Sequence, residues 1–282
     1  MEKKKRNIII AVVLIALILI GFFALIRSSE IKIMIIPESG VVEVDSGKGY
    51  VQINEETVLK GDETIRTQSN SIAVVILHES VLITLEENTE ISIESLVKDN
   101  IIVKQNKGST WNKFTRLNGV SDYNVKTPTS VAAIKGTEFG LEENQIIVAS
   151  GKVSFIKNEQ EIIVGDLEKA GFVNNELKKL PLTPEDKKKI IDNMKRQVNY
   201  LKFLREKELE KNKILVATLE KTIGKGYTAD EFFQKVDQGE INIEEAIAKS
   251  PIPLPFESVT KVKNLSLEIQ KQLQDIAKIE GY

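Results

Sequence analysis

The side chains that most often carry covalent or metal chemistry are scarce in this chain. Cysteine is absent, which removes thiol nucleophiles, thiolate metal sites and any disulfide framework. His78 is the one histidine, so a histidine-built metal centre or a Ser-His-Asp triad would have to rest on it. It sits in the turn Leu77-His78-Glu79-Ser80 between two apolar runs, where a histidine is expected to face solvent. There is no P-loop, zinc-ligand spacing, nucleophile elbow or Gly-rich dinucleotide turn. Carboxylates are plentiful, so sequence alone leaves a glycosidase-type pair open. The reading is a protein that is not an enzyme, with no catalytic residue, metal or cofactor. The balance of 39 basic and 41 acidic residues, net −2, lacks the basic surface that nucleic-acid binding needs.

Other work must therefore come from surfaces, and surfaces depend on the elements that carry them. Residues 8–26, from Ile8 to Ile26, read IIIAVVLIALILIGFFALI without a charge. A helix of about 20 apolar residues spans the hydrocarbon core and satisfies its own backbone. Lys3, Lys4, Lys5 and Arg6 precede it and a weaker, mixed flank of Arg27, Glu30 and Lys32 follows. The positive-inside rule then sets Met1 in the cytoplasm and the body outside, a single-pass plasma-membrane protein. A cleaved signal peptide is the alternative, but its apolar part should be shorter, about 7–15 residues, and end in a small-x-small site. A pilin-like assembly helix lacks its cleavage motif.

From residue 31 to 173 the chain reads as strands. Val81-Leu82-Ile83-Thr84-Leu85 is a buried run, and Glu90-Ile91-Ser92-Ile93-Glu94 alternates as a half-buried strand does. Turn signals recur at roughly ten-residue spacing, the pattern of a sandwich, barrel or β-solenoid, with no room for a helix of useful length.

The order of motifs in this stretch resembles the FecR domain family. Gly40-Val41-Val42-Glu43-Val44 resembles its opening strand. Leu59-Lys60-Gly61-Asp62-Glu63-Thr64-Ile65-Arg66-Thr67 resembles its L-x-x-G-D-x-I-x-T step, and Lys107-Gly108-Ser109-Thr110-Trp111 its G-x-x-W. The most specific piece runs from Val125-Lys126-Thr127-Pro128 to Lys135-Gly136-Thr137-Glu138-Phe139, similar to V-x-T-P…R-G-T-x-F. The family-type residues are Gly61, Thr67, Thr127, Pro128, Gly136, Thr137 and Phe139, for which folding roles are expected. Thr127-Pro128 should end a ladder or make an edge. Gly136 should take a positive φ or allow close packing. Lys135 should face solvent and Phe139 the core. Trp111 is expected either to cap the sheet core or to serve as a partner contact.

Composition shifts after residue 173. Residues 174–181 read as a linker and Thr183-Pro184-Glu185-Asp186 as a helix start. Ile190, Met194, Val198, Leu201 and Leu204 form an apolar stripe. Thr228 opens a short helix with Phe232, Phe233 and Val236, and a third short helix covers residues 243–248. Pro251, Pro253 and Pro255 break the pattern, and residues 265–279 form a last amphipathic helix. These helices should pack on each other or on the β domain, though the long charged one could extend away and support oligomerisation. Asn264-Leu265-Ser266 fits a glycosylation sequon, a weak match. The expected organisation is anchor 1–30, mainly-β domain 31–173 and α-helical region 174–282.

Well-known members of the family that this chain resembles read an outer-membrane receptor through an exported domain and regulate a sigma factor through a cytoplasmic segment. Here residues 1–7 are too short to fold around a sigma factor. The resemblance implies a membrane-tethered extracytoplasmic binding or scaffold module that engages a cell-envelope protein or polymer. The alternative is a signal-transduction component acting through a separate transmembrane partner.

Overall fold

A computed structural model describes residues 33–134, 136–218, 226–248 and 256–281. The apolar run at 8–26 lies outside the described residues. Among the described residues, no helix is long and apolar enough to cross a membrane.

Among the described residues, eighteen strands form two nine-stranded sheets. The first sheet holds β1 (Ile33–Ser39), β4 (Thr57–Leu59), β6 (Ile72–Leu77), β7 (Val81–Leu85), β10 (Thr110–Phe114), β13 (Glu138–Leu141), β14 (Gln145–Ser150), β17 (Glu168–Val173) and β18 (Glu176–Leu180). The second holds β2 (Val42–Asp45), β3 (Tyr50–Ile53), β5 (Thr64–Thr67), β8 (Glu90–Val97), β9 (Asn100–Lys107), β11 (Tyr123–Lys126), β12 (Ser130–Ile134), β15 (Val153–Lys157) and β16 (Gln160–Val164). Their orders are β18-β17-β14-β13-β10-β7-β6-β1-β4 and β16-β15-β12-β11-β9-β8-β5-β2-β3, so the chain advances along both sheets in step. All pairs are antiparallel except β9 with β11. That crossover is possible because β10 leaves for the other sheet between them. The helical content of this region is one 3-10 turn, Leu117–Gly119.

The sheets face each other over one core. Ile35, Val75, Ile83 and Phe139 from the first meet Ile65, Ile91, Val103, Tyr123 and Phe155 from the second. The two-sheet build realises the sandwich expectation rather than a barrel. The segment read as a linker is instead largely strand, because Glu176–Leu180 pairs with β17 from Val173↔Glu176 to Lys169↔Leu180. Lys178 and Lys179 on this outermost strand are the charges an edge carries to discourage further pairing.

Among the described residues, five helices follow: α1 (Pro184–Glu210), α2 (Lys213–Thr218), α3 (Ala229–Asp237), α4 (Ile243–Ala248) and α5 (Phe256–Glu280). Thr183 and Asp186 close a reciprocal capping box at the start of α1, with Pro184 in its first turn. Contacts between Lys195 and Glu280 at one end, and Asn212 and Ser258 at the other, show that α1 and α5 run antiparallel. Their apolar stripes are used within the chain. Ile190, Met194, Val198 and Leu201 of α1 and Leu265, Ile269 and Ile276 of α5 pack on Val74, Ile76, Leu82, Trp111 and Ile147, the outward side chains of the first sheet. A third cluster joins Leu209, Phe232, Phe233, Val236 and Val262. In it Arg205 makes a two-armed ion pair with Asp237, at 2.6 and 2.9 Å, under the Phe233 ring. The sequon falls inside α5 with Ser266 fully buried, so it offers no glycosylation site.

Candidate interaction surfaces

The family-type residues are dispersed through the sandwich. The Gly61 amide is bound by the Glu63 carboxylate, which also takes the amides of Lys60 and Asp62. Burial would raise that carboxyl, but the amides outweigh it and keep it below the ordinary range. The Thr67 hydroxyl donates to the Glu86 carbonyl and accepts from the Thr89 amide, tying β5 to the turn after β7. Thr127 caps the turn before β12 by accepting from the Thr129 and Ser130 amides at 3.2 and 2.9 Å, while Pro128 lies exposed at its tip. Phe139 is fully buried between the sheets. Lys135 lies outside the described residues.

Gly136 has φ +66°, and a Cβ there would touch only Arg116, at 3.6 Å. The positive φ is therefore its requirement, and close packing is not. The tight approach belongs to Gly151, at φ +90°, whose Cβ would strike the Thr137 methyl and come 2.8 Å from the Gly136 carbonyl. A urea-melt comparison at Gly136 should follow backbone strain alone: about 0.5–1 kcal/mol lost for Gly136→Asn, and about 1–2 kcal/mol for the β-branched Gly136→Val. Equal losses would mean that something other than φ is limiting.

One expectation needs correction. His78 is not solvent-facing: it is 8% exposed, and its Nε2 lies 2.9 Å from the Leu96 carbonyl, fastening the β6–β7 turn to the other sheet. Among the described residues no cluster of ligand side chains could hold a metal. Trp111 offers no contact to a partner in this arrangement, because it is fully buried on the outer face of the first sheet, beneath the chain's own helices. Its indole N–H donates to Glu138 at 2.9 Å.

Glu138 anchors a buried polar cluster that the sequence did not reveal. Besides Trp111, it accepts from Lys113 at 3.3 Å and from Gln272 of α5 at 2.8 Å. Lys113 also pairs with Glu268 of α5 at 2.8 Å. Two carboxylates thus share one ammonium. Burial pushes Glu138 up, with Lys113 opposing. Glu268 is also pushed up by burial, but the charge of Lys113 prevails and holds it low.

The second sheet differs. Among the described residues its outer face is not covered by a helix. One row across it reads Ile102, Asn124, Ala133, Ser154, Ile163. The next includes Lys126, Val131 and Ile156. These side chains are half-buried except Ile163, which is 52% exposed. Toward the β3 edge the face turns polar. Arg66 bonds Glu43 at 2.8 Å and stacks on Tyr50, and the Tyr50 hydroxyl reaches Glu90 at 3.2 Å.

The molecule is thus a two-sheet β domain with helices on one side. Residues 63–154 match the family model described as FecR protein, and the chain carries a FecR domain. All the family-type residues lie within that match except Gly61, two positions before it. No curated protein matches the chain. Two crystal structures of a candidate anti-sigma factor from Parabacteroides distasonis are similar at 17% identity and a TM-score of 0.37. The match covers 42% of this chain and 58% of that one.

Proposed function

We propose that this chain is a FecR-type regulatory module that works by binding. Residues 8–26 tether it to the membrane, its body lies outside the cytoplasm, and the open face of the second sheet meets a cell-envelope protein or polymer. The supporting observation is the contrast between the two sheets. One outer face is closed by α1 and α5, while the other keeps Ile102, Val131, Ala133, Ile156 and Ile163 at its surface. An apolar sector beside a polar one is the layout of a binding surface. The FecR match supports signal transduction as the setting.

The test is crosslinked affinity capture with the full-length protein in its native membrane. Ile163→Asp on a half-exposed edge strand should leave melting within about 0.5 kcal/mol of wild type. Combined with Ile156→Ser, it should abolish recovery of the envelope partner. Undiminished recovery by a folded double variant would remove the open face from the mechanism.

A further inference from the structure

We infer that α5 is a releasable clasp over the outer face of the first sheet, able to lift while the sandwich and α1 stay in place. The two long helices are fixed very differently. Among the described residues, α1 or its start is joined to the sandwich by ion pairs along its length: Asp186 with Lys169, Lys189 with Glu86 and Glu142, Arg196 with Glu38, and Lys207 with Glu56. For α5 the ion pairs to the sandwich are Glu268 with Lys113 and Lys261 with Glu79.

In the middle of the α5 interface polar groups sit among the apolar Leu265 and Ile269. Glu268 and Gln272 meet Lys113 and Glu138, and the side-chain oxygen of Gln272 is buried without a hydrogen-bond partner. The matching oxygen of Gln197 on α1 is orphaned too. Buried groups of this kind fix a docking geometry while adding little to its strength. The core between the sheets shares none of its buried residues with the cluster beneath the helices. Lifting α5 therefore uncovers Trp111 and its apolar neighbours without opening that core, the condition for a separate unit of local unfolding.

Charge makes the release selective. With Glu268 gone from its side, Lys113 keeps Glu138, and the sheet retains a balanced pair. The clasp holds whether or not the open face of the second sheet binds a partner, so its failure would leave that proposal standing.

The experiment uses the full chain and two readouts. Amide exchange in α5 residues 265–280 should run at least tenfold faster than in β7, β10 and β13. Glu268→Ala should speed α5 roughly tenfold further and leave the strands unchanged. Trp111 is the sole tryptophan, so acrylamide quenching reports the same event and should rise severalfold in that variant. A Lys195→Cys/Glu280→Cys pair bridged by a bis-maleimide, in a chain with no other cysteine, should reverse both changes. If α5 and the strands exchange at one common rate, in wild type and in Glu268→Ala alike, α5 is an integral layer and the clasp is wrong. The clasp is equally overturned if Trp111 stays shielded while α5 exchange accelerates.

Discussion

Lys113→Met is expected to cost about 3–5 kcal/mol at pH 7, because it strips a buried carboxylate of its counter-charge. Glu268, with its side chain 21% exposed, can turn outward, but Glu138 at 1% cannot. Acid should relieve the variant. Without the ammonium, the folded-state pKa of Glu138 rises further above its unfolded value. A group shifted that way contributes most favourably below the unfolded pKa, and that contribution is lost as pH climbs through the folded one. The deficit should therefore be largest at neutral and alkaline pH and shrink as pH falls toward about 4, the ordinary glutamate range. Urea melts of wild type and variant at pH 7 and pH 4.5 decide it. A deficit independent of pH would mean that Lys113 matters for packing rather than for charge.

Gly151→Ala should rank next, at about 2–4 kcal/mol. It adds the strain of a side chain at positive φ to a collision with the Thr137 methyl and the Gly136 carbonyl. The two parts can be separated. Thr137→Ser removes the methyl and leaves a hydroxyl that has no partner in the fold. In a double-mutant cycle it should recover about 1 kcal/mol of the Gly151→Ala loss, leaving the backbone part. No recovery would place the collision elsewhere. Gly151 thus makes room for Thr137, the threonine that follows Gly136 in the family-type motif.

Much of the architecture was readable from local chemistry. Short β-branched runs between turn residues located the strands, and Thr183-Pro184 with Asp186 marked the start of α1, because those signals act over a few residues. The outer layer was harder. Thr110–Phe114 is a mixture of hydroxyl, indole, amide, ammonium and phenyl groups, yet all five are buried. A strand covered on both faces has no alternation to display: Thr110 and Asn112 are matched between the sheets by Gln105 and Tyr123, and Lys113 by Glu138 and, far away in sequence, by Glu268 of α5. The same distance hid Glu138, an inconspicuous position inside the family motif, and misled the reading of His78. The short Glu176–Leu180 strand resembled a linker because an edge strand needs one apolar face and tolerates charge on the other. The open face was invisible for the opposite reason: sequence shows which side chains alternate outward, but not whether a helix returns to cover them.

The in-step advance of the two sheets bears on how the chain is made. Each new strand joins the growing end of a sheet whose earlier members have already emerged, apart from β4 and β3, which pair on the far sides of β1 and β2 at the start. Assembly can then proceed N-terminus first, keeping pace with synthesis or with passage through a pore. Few unpaired edges wait for distant segments, which shortens the time a slow-folding all-β chain is open to aggregation.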